Sequence, residues 1–238
     1  MKRILIYLGI AATCLGLSVV TRGENKEADY RPFVELQKYN TVVLRGTINW
    51  SSASNISNQL LRKANNRRAE TIYLILDSGG GSIVAGNSII ATMRAIQKPI
   101  VCIAMYAASM AHGILQNCTV RYVTEDGVSM IHRARGGFQG HFNDGEVESQ
   151  LKLWKTIVTK MEKQNAKRME LKYEKYKELA ANEFWCAGEE CVKNNFVSYI
   201  IDIRCSTELL AYKVPVGSGF NIKGYLSGCP LIRGLIPR

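Results

Sequence analysis

The chain has 238 residues, 47% of them hydrophobic and 21% charged, and carries a formal net charge of +11. That length and balance suit one α/β domain with a real core and exclude wholesale disorder. The charge excess comes with no nucleic-acid motif and no basic ribbon interleaved with aromatics, so it reads as a solvated basic surface, and no nucleic-acid partner is expected.

In chain order the first element is "MKRILIYLGIAATCLGLSVVTRG". Lys2 and Arg3 precede an apolar stretch from Ile4 to Val20, and polar residues follow. This is the layout of a secretory signal. Residues 1–23 are therefore expected to be a signal peptide, cleaved between Ser18 and Gly23, with an uncleaved N-terminal membrane anchor as the alternative. Either way the chain is expected to be exported, to the periplasm or cell envelope. Seven cysteines are present, and Cys102, Cys118, Cys186, Cys191, Cys205 and Cys229 lie beyond that segment. In an exported chain an even set suggests disulfides, although the pairing stays open and several could be buried small hydrophobes. Cys205 with Cys229 would pin the C-terminal segment, and Cys186 with Cys191 is close enough only if the local backbone permits. No Cys/His spacing suits a metal ion, and no cofactor is expected.

"TVVLRGTI" (41–48) is β-branched and predicts a strand. "SSASNISNQLLRKANNRRAE" predicts a Ser/Asn-capped amphipathic helix with Ile56, Leu60, Leu61 and Ala64 on one face. "TIYLILDSGGG" (71–81) is a strand running into glycines, and "SIVAGNSIIATMRAIQ" is the next helix, ended near Pro99. "PIVCIAMYA" is a third strand, with a helix opening near Ser109. "VRYVTEDGVSMIH" predicts one or two short strands with a turn at Asp126–Gly127. A long helix over 145–172 carries Val147, Leu151, Trp154, Ile157, Val158 and Met161 at helical spacing. Alternating strands and helices with apolar strands imply a largely parallel sheet. Residues 205–238, rich in Gly, Pro, Lys and Arg, read as a basic, extended C-terminal tail.

Three stretches carry candidate chemistry. "DSGGGS", Asp77 to Ser82, leaves backbone N–H groups uncovered after a strand and can offer them to an oxyanion; a phosphate cradle is the other use of such a turn. Ser109 stands at a strand-to-helix turn between small residues, where a nucleophile gains from the helix dipole; a plain N-cap is the bland explanation. His132 closes the apolar strand "SMIH", at the end where sites on parallel sheets gather, and its imidazole could take the serine proton; a satisfied structural histidine is the bland explanation.

Taken together and in this order, the stretches resemble the proteolytic subunit of the Clp protease family, over residues 34–203. "LILDSGGGSIVAG" is similar to that family's "NSPGGSV"-type turn, "AASMA" to its "AASMG" nucleophile turn, "VSMIH" to its "RVMIH" strand, and "GGFQGHFNDGEVE" to its "GGxxGxxxD" segment. The resemblance implies an α/β fold of the Clp/crotonase type, with a repeated β-β-α spiral core and a protruding long helix, over a domain at 24–204. It implies Ser109 as nucleophile, His132 as general base, and main-chain N–H groups of Gly81 and Met110 at the oxyanion, with Gly80 and its neighbours along the substrate strand. It also implies a homo-oligomeric ring and a peptide or unfolded-protein substrate.

Two positions depart from the pattern. Asn182, in "ANEFWCAGEECV", stands where the family has its third catalytic residue, an aspartate, and Gly79 replaces a proline. An amide oxygen can orient an imidazole but cannot balance its charge, so Glu183 or another acid becomes a candidate. An exported copy meets no ATP-driven unfoldase, which makes an ATP-independent serine endopeptidase the first expectation. A catalytically weakened scaffold or binding protein is the second, and an acyl-CoA enzyme of the crotonase type, which needs no serine nucleophile, the third.

Overall fold

The computed structural model describes residues 32–137, 140–141, 143–218 and 221–236, so the expected signal or anchor at 1–23 lies outside the described residues. The elements run β1 (Phe33–Leu36), β2 (Thr41–Arg45), α1 (Trp50–Ala64), β3 (Ile72–Ser78), α2 (Ile83–Ala95), β4 (Ile100–Ala108), α3 (Met110–Leu115) and β5 (Val120–Ile131). They continue with α4 (Asp144–Arg168), α5 (Tyr173–Ala181), β6 (Phe184–Ala187), α6 (Gly188–Lys193), β7 (Tyr199–Ile200) and β8 (Asp202–Cys205). The chain closes with α7 (Thr207–Ala211), β9 (Lys213–Ser218), β10 (Asn221–Ser227) and β11 (Leu235–Ile236).

The main sheet has the order β2-β3-β4-β5-β6, with β7 also on β5. Strands β2 to β5 are parallel, and only β6 runs antiparallel to its neighbour. The apolar β3 and β4 are buried on both faces because each face has its own cover. Leu74, Leu76, Cys102 and Ala104 point into a large core beneath α1 and α2, with Ile56, Leu60, Ile89 and Met93. Ile75 and Ile103 point the other way, into a smaller core with Leu36, Ile201, Ile203 and Leu209.

Helix α1 begins where Asn49 and Ser52 satisfy each other's backbone N–H groups in a capping box. At "VRYVTEDGVSMIH" the structure has a single strand, not two. The pairing of β4 with β5 jumps from Ala104↔Val123 to Tyr106↔Val128, so residues 124–127 bulge from one continuous strand. Gly127 is needed there because a Cβ would lie 2.4 Å from the Ala104 carbonyl oxygen. The long helix stops at Arg168, short of 172: Glu170 takes φ 58, and the chain re-enters a helix at Tyr173. Among the described residues, no helix is long and apolar enough to cross a membrane.

The expected tail at 205–238 is instead folded. Strands β9, β10 and β11 form an antiparallel sheet, and Ser206 caps α7 through the Leu209 N–H. Leu209 completes the smaller core, and the Cys205–Cys229 disulfide ties the segment to the end of β8. Two further disulfides join Cys102 to Cys118 and Cys186 to Cys191. The density of Gly and Pro argues for breaks between elements, but here the breaks separate strands too short to stand out in the sequence.

Candidate active site

The parallel strands deliver two chain ends to one edge of the sheet. Strand β4 ends at Ala108 and turns into α3 through Ser109, while β5 ends one residue before His132. The Ser109 N–H donates to the Met130 carbonyl at 2.9 Å, which locks the turn against the neighbouring strand. Ser109 sits at φ 57 and ψ −121, a conformation that few side-chain-bearing residues adopt, and its hydroxyl makes no capping bond to α3. The hydroxyl is 2.7 Å from His132 Nε2 instead. Ser109 is the N-cap position of α3, but capping does not use its hydroxyl, which meets the imidazole.

Ser109 as donor to Nε2 leaves the proton of a neutral imidazole on Nδ1. That nitrogen is buried and has no hydrogen-bond partner among the described residues. Burial holds the His132 pKa below its ordinary 6.5, with the Arg135 guanidinium lowering it further and the Glu183 carboxylate acting against both. The ring is thus neutral at pH 7 and able to accept a proton.

The glycine turn packs directly on the serine turn. A Cβ on Gly80, at φ 93, would lie 2.7 Å from Ser109 Cβ and 2.8 Å from Met110 N, so no other residue fits. The Gly80 N–H is taken by Ser78 Oγ at 3.1 Å, and its carbonyl accepts from the Ile48 N–H at 2.8 Å. Gly80 is therefore not placed as a donor; its place is in packing. The N–H groups of Gly81 and Met110 make no hydrogen bond among the described residues, and both residues line the same cleft as Ser109 and His132. Gly86 on α2 makes room for Met110: a Cβ there would fall 2.4 Å from the methionine Cε. The cleft holds about 360 Å³.

Asn182 is not brought to the histidine. It is the exposed C-terminal cap of α5 and has no bond to His132. The reason lies in the link between α5 and β6. The ladder of β6 with β5 ends at Ile131↔Phe184, and in the link before it Glu183 lines the cleft that holds His132, whereas Asn182 does not. Glu183 Oε1 accepts from Arg135 Nη2 at 2.7 Å, and Glu183 takes φ 58. The Arg133 N–H donates to the Ala180 carbonyl at 2.9 Å, fixing the strand end that carries the histidine.

Residues assigned no site role from the sequence also line the cleft: Met161, expected only in a helix stripe, with Asn165 and Tyr176, from α4 and α5. Their signal was faint. The apolar stripe Trp154, Val158, Met161 reaches Asn165 at its next helical step, and a polar residue in such a stripe is a flag. A second serine–histidine pair was missed too. His112 Nδ1 lies 2.9 Å from Ser129 Oγ, and both residues are fully buried.

Ser109, His132 and two uncovered N–H groups around one cleft are the groups that acyl transfer needs: a nucleophile, a base and donors for a developing oxyanion. Residues 24–204 match the family model described as Clp protease.

Proposed function

This chain belongs to the Clp protease family, and on that footing we propose that it is an exported serine endopeptidase working without ATP. Ser109 Oγ attacks the peptide carbonyl while His132 Nε2 takes its proton. The N–H groups of Gly81 and Met110 receive the oxyanion, and the imidazolium returns its proton to the leaving amine. Water, deprotonated by the same ring, then releases the acyl group from Ser109. The observation that carries this reading is the 2.7 Å contact between the Ser109 hydroxyl and His132 at a backbone turn that denies the hydroxyl any cap.

Export rests on the N-terminal charge pattern, and three disulfides support an oxidising compartment. The 25-residue α4 leaves Val147, Leu151 and Leu153 exposed on its first half, which supports burial against further copies in a ring. A catalytically weakened scaffold is the second reading, and the observation favouring it is His132 Nδ1, buried with no acceptor among the described residues. A fluorophosphonate probe separates the two. Rapid labelling of the mature protein that disappears in Ser109→Ala is expected. A folded oligomer that takes up no probe would leave the scaffold.

A further inference from the structure

The far wall of the cleft carries hydrogen-bonding capacity that the fold leaves unused. Asn165 is 2% exposed and Tyr176 3%, and both line the cleft that holds Ser109. Asn165 Nδ2 donates to the Tyr176 hydroxyl at 3.4 Å. That leaves Asn165 Oδ1, a buried acceptor, without a donor among the described residues. It also leaves the Tyr176 hydroxyl proton without an acceptor among the described residues, since the hydroxyl oxygen is used only to accept. Burial raises the Tyr176 pKa to about 12, so the proton stays in place at pH 7.

A buried acceptor and a buried donor side by side cost about 1–3 kcal/mol each while unmatched. Such groups persist where a ligand supplies the missing partners. The same cleft has apolar lining from Ile83, Met110 and Met161, and its charged residues Arg135 and Glu183 are paired with each other.

Resting on the serine endopeptidase reading, we propose that Asn165 and Tyr176 determine specificity by binding a carboxamide side chain, glutamine or asparagine, on the acyl side of the scissile bond. A carboxamide carries both functions on one planar group: it donates N–H to Asn165 Oδ1 and accepts O–H from Tyr176 at once. Exchanging the oxygen and nitrogen of Asn165 leaves the match intact, because the carboxamide turns with it. Its methylene stem lies along the methionines. A carboxylate is disfavoured: it brings no donor for Asn165 and meets the field of Glu162, which already acts on Tyr176. Leucine fits the walls but leaves both polar groups unmatched.

The test uses peptides identical except at that residue, carrying Gln, Asn, Leu or Glu, with the mature protein. Glutamine is expected to exceed leucine by about 10–100-fold in kcat/KM, since a site built to hydrogen-bond rejects an analogue that cannot. Asn165→Leu is expected to reverse that order. The same substitution removes an unmatched polar atom, so the melting temperature is expected to hold or rise; a fall with the order of substrates unchanged would make Asn165 a structural residue and overturn the proposal. A binding arm runs independently of turnover. Peptides ending in a free C-terminal Gln or Leu are titrated into Ser109→Ala by calorimetry, and Gln is expected to bind at least about 10-fold tighter. If no peptide is cleaved and Ser109 is unreactive, the endopeptidase reading fails, and this arm still decides the subsite. Equal binding of Gln and Leu sinks it.

Discussion

The molecule contains two serine–histidine pairs of almost the same length, 2.7 Å between Ser109 and His132 and 2.9 Å between Ser129 and His112. They arise from the same three elements: β4 and α3, and β5 beside them. In the inner pair, Ser129 Oγ lies 2.8 Å from the Ala107 carbonyl, which can only accept. The serine must therefore spend its single proton there, and His112 must donate through Nδ1. This chain of bonds braces β4 two residues before Ser109. In the outer pair the serine proton faces the imidazole and its oxygen faces a cleft. Separation alone does not distinguish a brace from a nucleophile; where the serine proton goes and what the oxygen can reach do.

The strongest way to break that comparison is to delete each hydroxyl in turn. Ser109→Ala is expected to lower peptide hydrolysis by about 10³-fold or more while leaving the unfolding midpoint nearly unchanged. Ser129→Ala is expected to do the reverse: it strands the Ala107 carbonyl and the His112 N–H and costs about 1–3 kcal/mol of stability, with hydrolysis largely kept. Urea titration and turnover of a fluorogenic peptide measure both. Equal loss of activity in the two variants would mean that the inner pair takes part in the chemistry.

Titration sharpens the contrast. Burial, aided by Arg121, lowers the His112 pKa to about 3. The unfolded chain, with an ordinary value near 6.5, therefore binds one more proton across that interval. Stability is complete above pH 6.5 and falls as pH drops towards 3, by about 1.4 kcal/mol per pH unit from this one group. The His132 pKa is also lowered, so the acid limb of kcat/KM is expected below pH 6.5, with activity lost as pH falls through it. Denaturant midpoints against pH should flatten in His112→Leu, whereas the kinetic limb should keep its position. A shift of both together would deny the separation between the pairs.

What was legible in the sequence follows the same division. Strands β3, β4 and β5 and their glycine turn could be read because apolar runs and turn residues are local signals, whereas Ser109 and His132 took their expected roles from the family resemblance, each having a bland explanation when taken alone. The folded segment after Cys205 could not. Its stability comes from contacts far away in sequence: the disulfide to Cys229, and Asp77, which accepts from Arg45 Nε at 3.1 Å and Arg233 Nη2 at 2.9 Å. Asn182 was chosen by alignment of motifs, which counts residues along the chain. Which residue meets the cleft depends on the one-residue step between the α5 cap at Asn182 and Glu183, which takes φ 58 before β6 begins.

The smallest expected effect concerns that step. Glu183 is the carboxylate that raises the His132 pKa against burial, and it lines the same cleft as the ring. Glu183→Gln removes the charge that favours the imidazolium formed during acylation. It is expected to lower kcat/KM by about 10-fold, within the range of general-base effects, and to move the acid limb to lower pH. Asn182→Asp adds a carboxylate at an exposed cap with no bond to the ring. Solvent screening leaves it a gain of only about 2-fold, abolished by added salt. A gain of 10-fold or more in Asn182→Asp would show that α5 and β6 rearrange to bring position 182 to Nδ1 during turnover. Glu183 would then be a partner of Arg135 alone, and the unpartnered nitrogen would mark a resting geometry that closes when substrate arrives.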